Sequence, residues 1–121
     1  MEEILISIFE KTSVVPFTTG ILFVIAAAIT LVFPPKKINL LYGYRTRASM
    51  KNQQVWDFAQ RYSGVKMMQI GFALMGFSLL NVFFGFNDSF QLMIGLSFVI
   101  IACAFLFLVT ESAIRKKFPN Q

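Results

Sequence analysis

Three long stretches of this sequence contain no charged residue: Thr12 to Pro35, Met67 to Asn87, and Ser89 to Thr110. A soluble domain carries about 25% charged residues. This 121-residue chain carries 14%, with 56% hydrophobic residues and a mean hydropathy of +0.66. A helix rises ~1.5 Å per residue and needs about 20 apolar residues to cross a hydrocarbon core ~30 Å thick. Each stretch is long enough. The expectation is an all-α integral membrane protein, a single domain over residues 1–121, with three transmembrane helices at about 14–34, 66–86 and 89–110.

The N-terminus opens with Glu2 and Glu3. A cleaved signal peptide opens with basic residues and carries a shorter apolar run, so cleavage is not expected. Residues 1–11 read as a short interfacial helix or a frayed end, with Ile4, Leu5, Ile8 and Phe9 against the membrane surface.

Orientation follows from the cations. Lys36, Lys37, Arg45, Arg47, Lys51, Arg61 and Lys66 lie between the first two spans, with Asp57 the only acid there. The C-terminal tail adds Arg115, Lys116 and Lys117, whereas the other side holds only Lys11 among four acids. The positive-inside rule then places the N-terminus outside and the long loop and C-terminus in the cytoplasm, with a tight turn at Asn87-Asp88-Ser89 outside. The net charge of +5 is a topology signal and an attraction to anionic membrane lipid. No nucleic-acid motif accompanies it, so nucleic acid is not an expected partner.

The lone Cys103 lies in the third span and reads as a small hydrophobe. Histidine is absent, and no cluster has metal-ligand spacing, so neither a metal nor another cofactor is expected. No nucleophile stands beside an activating base, which argues against an enzyme. No charge occupies a helix centre, which argues against an ion-coupled transporter. Glu111, at the inner end of the third span, is a charge partner for Arg45 or Arg47 if it is not simply an interfacial carboxylate. Asn81 and Gln91 are placed to bond across the outer hairpin, and Ala26, Ala27 and Ala28 form a thin waist for a neighbouring helix.

The inner loop carries the densest pattern. Pro34-Pro35 stops the first helix. Gly43 permits a turn, and Ser49 reads as the N-cap of an amphipathic interfacial helix at about 50–62. On that helix Val55, Trp56, Phe58, Ala59 and Tyr62 form the apolar arc, while Gln53, Gln54, Asp57, Gln60 and Arg61 face the other way. Trp56 and Tyr62 are read as interface aromatics, Asp57 and Arg61 as a pair, and Ser63-Gly64 as a bend into the second span. Lys51 and Asn52 fall on the apolar arc. That placement calls for polar partners in the same protein, with the preceding GYRTR strip the nearest. Arg45 and Asn52 are therefore expected in buried polar contacts.

The run from Tyr42 to Gly64, YGYRTRASMKN and then VWDFAQRYSG, resembles the hallmark of the SdpI family. Gly43, Tyr44, Arg45, Thr46, Ser49, Met50, Lys51, Asn52 and Trp56 match it in order. The resemblance implies a multi-pass protein of the bacterial cytoplasmic membrane. Its namesake is an immunity protein that protects against a secreted, membrane-active peptide and signals at the membrane. The partners so implied are lipid and a hydrophobic peptide toxin or another membrane protein, with oligomerisation open. The alternative is a structural or accessory subunit of a larger membrane complex.

Overall fold

The computed structural model describes residues 1–11, 14–85 and 87–119. Five helices follow one another: α1 (Glu2–Lys11), α2 (Val14–Val32), α3 (Gln53–Ser78), α4 (Leu80–Phe84) and α5 (Asp88–Lys117). The described residues contain no strand. Two helices, over Val15–Val32 and Asp88–Lys117, are long and apolar enough to cross a membrane.

The α2–α3 contact dominates the packing, and glycine makes it close. A Cβ on Gly20 would lie 2.6 Å from the Gly71 carbonyl oxygen, and one on Gly71 would lie 2.8 Å from the Gly20 oxygen. The two backbones meet there, as small residues permit between helices in lipid. Ala27, fully buried, continues the seam, and Gly64 admits Leu31 Cδ2 at 2.9 Å from its notional Cβ. On α5, Gly95 seats Pro16, with Pro16 Cδ 2.9 Å from the corresponding position.

Two small apolar clusters result. Ile70, Leu74 and Ala102 join α3 to α5 along the span, supported by Phe23, Phe98 and Leu106. Val55, Ala59, Ile114 and Phe118 form the second, where α3 begins and α5 ends. Much of the remaining apolar surface is uncovered, including Leu22, Ile25 and Val32 of α2 and Ile100, Phe105 and Leu108 of α5. So much exposed apolar area on helices is compatible with a membrane location.

Several expectations need correcting. The amphipathic segment and the second span are one continuous helix, α3, with no bend at Ser63-Gly64. Gly64 serves close packing there, and Ser63 Oγ donates to the Gln60 carbonyl (3.3 Å) within the helix. The break falls instead at Leu79. Ser78 Oγ donates to the Met75 carbonyl (2.6 Å), and the Leu79 N–H reaches the Gly76 carbonyl (3.2 Å) in a tightened last turn. Side-chain back-bonding of this kind bends helices. Gly85, at φ +63°, then turns the chain. Asn87 caps α5, its Oδ1 accepting from the Phe90 N–H at 2.8 Å. α5 runs to Lys117, beyond the expected end at 110, with Arg115, Lys116 and Lys117 in its last turn, where cations complement the helix dipole. The anticipated Asn81–Gln91 bond lies outside what is described, since the Asn81 side chain is not among the placed groups.

Candidate functional site

The chain leaving α2 is tied down by side chains from both directions. Asn39 Oδ1 accepts from the Leu41 N–H (2.9 Å) and the Tyr42 N–H (2.7 Å), fixing a tight turn. That turn sends the Tyr42 hydroxyl back to the Phe33 carbonyl (2.6 Å), one of the oxygens a helix C-terminus leaves unpaired. Trp56 Nε1 donates to the Pro35 carbonyl at 2.6 Å. With 0% exposure, Trp56 is a core residue and not the interface aromatic its type suggests. Tyr62 is half-buried and stacks on Phe58, ring centroids 5.6 Å apart.

Gly43 adopts φ +104°, a region costly for residues with a Cβ. Space forbids a side chain there as well. A Cβ would lie 2.5 Å from Gln60 Oε1 and 2.8 Å from Pro35 Cγ. The bare glycine lets Gln60 clamp the next residue. Gln60 Oε1 accepts from the Tyr44 N–H (2.6 Å), and Gln60 Nε2 donates to the Tyr44 carbonyl (2.7 Å). A buried amide (2% exposed) thus pairs with both polar groups of one backbone residue, as a strand neighbour would.

Tyr44 is the centre of the arrangement. Its ring packs against the Val55, Ala59, Ile114 and Phe118 cluster. Its hydroxyl donates to Glu111 Oε1 at 2.8 Å. Burial, and then the neighbouring Glu111 carboxylate, hold the phenol well above its ordinary pKa. One residue of the loop between α2 and α3 therefore bonds α3 through its backbone and α5 through its side chain. Glu111 was expected to face Arg45 or Arg47; its hydrogen-bond partner is Tyr44. The hydroxyl reaches the carboxylate with its ring half-buried against the cluster, whereas both arginines are exposed.

Past Tyr44 the loop closes on itself. Thr46 N–H donates to Ser49 Oγ (2.8 Å), and Ser49 N–H donates to Thr46 Oγ1 (3.1 Å), a reciprocal pair like a capping box. Met50 N–H adds a bond to the Thr46 carbonyl (3.1 Å). Ser49, fully buried, caps this isolated turn and not α3. The helix begins at Gln53, and its N-cap is Asn52, whose Oδ1 accepts from the Val55 N–H at 2.9 Å. This explains asparagine on an apparent apolar arc: residues 50–52 precede the helix, so the wheel does not apply to them. Asn52 and Met50 are half-buried, while Lys51, Arg45 and Arg47 are exposed. Arg45 was expected in a buried contact; its guanidinium Nη1 bonds the Leu40 carbonyl in an exposed position. Asp57 accepts from Gln53 Nε2 (2.7 Å) in place of the expected Arg61.

Of the residues singled out in the sequence, the structure joins Tyr42, Gly43, Tyr44, Thr46, Ser49, Trp56 and Glu111 into one network, with Arg45 and Asn52 at its margins. Lys51 stands apart. Gln60 and Pro35 were missed. The buried stripe of α3 is Val55, Trp56, Ala59, Gln60, Ser63 and Gly64, so a wheel centred on the aromatics was rotated too far. The small residues Ala59, Ser63 and Gly64 carried the correct phase.

A cavity of about 480 Å³ opens beside the joint, between Ala26, Thr30 and Met67 on one wall and Tyr42, Arg45 and Thr46 on the other. Its walls offer hydroxyl groups and the Arg45 cation. Among the described residues, no group of three or more acidic, histidine or cysteine side chains could hold a metal ion.

Residues 36–110 match the SdpI/YfhL protein family, an interval that contains Tyr44, Ser49, Trp56 and Gln60 and stops one residue short of Glu111. The chain belongs to the SdpI/YfhL family. It is 40% identical over 99 residues to a protein of Bacillus subtilis (strain 168) described as uncharacterized protein YfhL; the match covers 79% of this chain and 82% of that relative. No solved structure matches it significantly. The family's matched interval begins just after Pro35 and includes Tyr44, which Gln60 of α3 clamps.

Proposed function

We propose that this family member is a multi-pass protein of the bacterial cytoplasmic membrane that protects the cell against a membrane-active peptide, acting by binding and not by catalysis. In this reading α3 and α4 together make the second span, between α2 and α5. The N-terminus lies outside, and the joint and C-terminus lie in the cytoplasm. The observation that carries it is the Tyr44 joint, which couples the loop to α3 through Gln60, inside the family-matched interval, and to α5 through Glu111, the residue just beyond it. A disturbance of helix packing by an inserted peptide would reach the loop through Gln60 and Glu111. Such coupling supports signalling at the membrane as well as protection. The test is a gene deletion challenged with a panel of membrane-active peptides. Sensitisation that the intact gene reverses is expected; unchanged survival across the panel counts against the proposal.

A second reading, an accessory subunit of a larger membrane complex, is favoured by the uncovered faces of α2 and α5, where Ile25, Val32, Ile100 and Leu108 are exposed. Lipid or a partner protein would cover them equally well. Affinity purification in mild detergent separates the two. A stoichiometric second protein favours the subunit reading, and a lone monomer or homo-oligomer favours the first. Orientation is read by labelling single cysteines in a Cys103→Ala background with a membrane-impermeant maleimide. Asp88→Cys should react in intact cells, and Lys51→Cys only after lysis.

A further inference from the structure

A second cleft lies where α3 begins and α5 ends, and shares Phe118 with the cluster that Tyr44 packs against. Its volume is about 670 Å³, within the range of small-ligand sites. Phe58, Tyr62 and Phe118 form an aromatic wall, and Arg61, Lys66 and Lys117 contribute three cations. The acid beside them, Asp57, already accepts from Gln53. Phe118 meets Phe58 edge-on, with centroids 5.7 Å apart. Lys117 Nζ sits 4.7 Å from the Phe58 ring centroid, and Lys66 Nζ 5.6 Å from that of Tyr62. The rings hold the two ammonium groups by their faces and leave their remaining donors for a ligand. Arg61 and Lys117 are exposed and Lys66 is half-buried.

The depth of the cleft identifies its occupant. Lys66 directly precedes the charge-free run that starts at Met67, and Lys117 closes the apolar helix α5. In a membrane both ends sit at the headgroup layer. Val65, 41% exposed, points an aliphatic surface out beside the cations. A ligand here meets positive charge and aromatic surface on one side and the acyl region on the other. We propose that this cleft binds the phosphate headgroup of an anionic phospholipid, with Arg61, Lys66 and Lys117 donating to the phosphate and Val65 and Phe58 lining its first acyl carbons. The proposal rests on the membrane reading above. Bound there, the lipid bridges the start of α3 to the end of α5, the two elements that Tyr44 also joins.

The test counts retained lipid by native mass spectrometry, after purified protein is equilibrated in micelles with equal amounts of phosphatidylglycerol and phosphatidylcholine. Wild type should retain phosphatidylglycerol roughly 100-fold in preference, since each of the three cations near a lipid surface contributes roughly a fivefold factor. Arg61→Gln/Lys66→Gln/Lys117→Gln should lose that preference. Lys37→Gln/Arg115→Gln/Lys116→Gln removes the same charge from exposed positions outside the cleft and should keep it. Equal losses in the two triple variants would mean diffuse attraction and overturn the site. Full displacement by millimolar inorganic phosphate would make it a free-anion site and overturn the lipid assignment. Trp56 emission reports folding, and Lys66→Gln and Lys117→Gln singly replace a triple variant that unfolds; neither single variant weakening retention would also overturn the site. The membrane reading is scored separately, by retention in phosphatidylcholine vesicles through an alkaline wash. Retention without phosphatidylglycerol preference sinks the cleft alone; extraction sinks the membrane reading.

Discussion

Replacing Gln60 by leucine would test how much one buried amide contributes to this fold. The substitution keeps side-chain size and removes both polar ends. Tyr44 N–H would lose the oxygen it meets at 2.6 Å, in a setting where the replaced side chain is 2% exposed. An amide left without a partner in such a place costs about 1–3 kcal/mol. The Tyr44 carbonyl would lose Gln60 Nε2 but keep Ser49 Oγ, within reach at 3.2 Å, so its loss is smaller, about 0.5–1 kcal/mol. Burying leucine recovers part of this. The net destabilisation of the joint is about 2–3 kcal/mol, or roughly a 30- to 150-fold rise in its open population. Hydrogen exchange in detergent reads that population at the amides of Thr46, Ser49 and Met50, which are bonded within the loop and not to Gln60. Their exchange should accelerate by that factor. Acceleration below about threefold, with the variant otherwise folded, would refute the view that Gln60 holds the loop shut.

Gly43→Ala should cost about 1–3 kcal/mol from backbone strain alone, and more because its Cβ displaces Gln60; equilibrium unfolding followed by Trp56 emission measures it. The raised Tyr44 pKa makes the joint sensitive to alkali. Because the folded pKa lies above the unfolded one, its contribution is complete below about pH 10 and is lost as pH rises further. Tyr44→Phe should flatten that alkaline loss in a stability–pH profile while lowering stability at neutral pH. Arg45→Ala removes the bond to the Leu40 carbonyl and should cost about 1 kcal/mol. Arg47→Ala, at an exposed position, should stay within ~0.5 kcal/mol in the same unfolding assay.

The sequence made the helical class and the loop legible for different reasons. Charge-free runs report the solvent a helix is built for, so α2 and α5 stood out. The ordered string from Gly43 to Asn52 marked a segment whose side chains serve the backbone: a positive-φ glycine, a reciprocal Thr46–Ser49 pair and a cap. Partners were harder to read. Gln60 looked like a surface residue because its type is polar, and only tertiary placement against Gly43 shows that its amide replaces a backbone neighbour. Trp56 looked interfacial because free tryptophans favour that layer, yet the Pro35 carbonyl gives its N–H a buried partner. Glu111 was correctly sensed as needing a partner, but opposite charge suggested arginine where burial favoured the Tyr44 hydroxyl. The run of α3 through Ser63-Gly64 was illegible for a similar reason. Glycine signals a bend or a close approach, and only α2 packing against it decides between them.

The central claim is that Tyr44 fastens the α2–α3 loop to α5 through Glu111. A double-mutant cycle of Tyr44→Phe and Glu111→Ala, read by equilibrium unfolding in detergent, tests it most directly. A hydroxyl bonded to a carboxylate at 2.8 Å in a half-buried site should give a coupling of about 1–2 kcal/mol. Losses that simply add, to within about 0.3 kcal/mol, would contradict it.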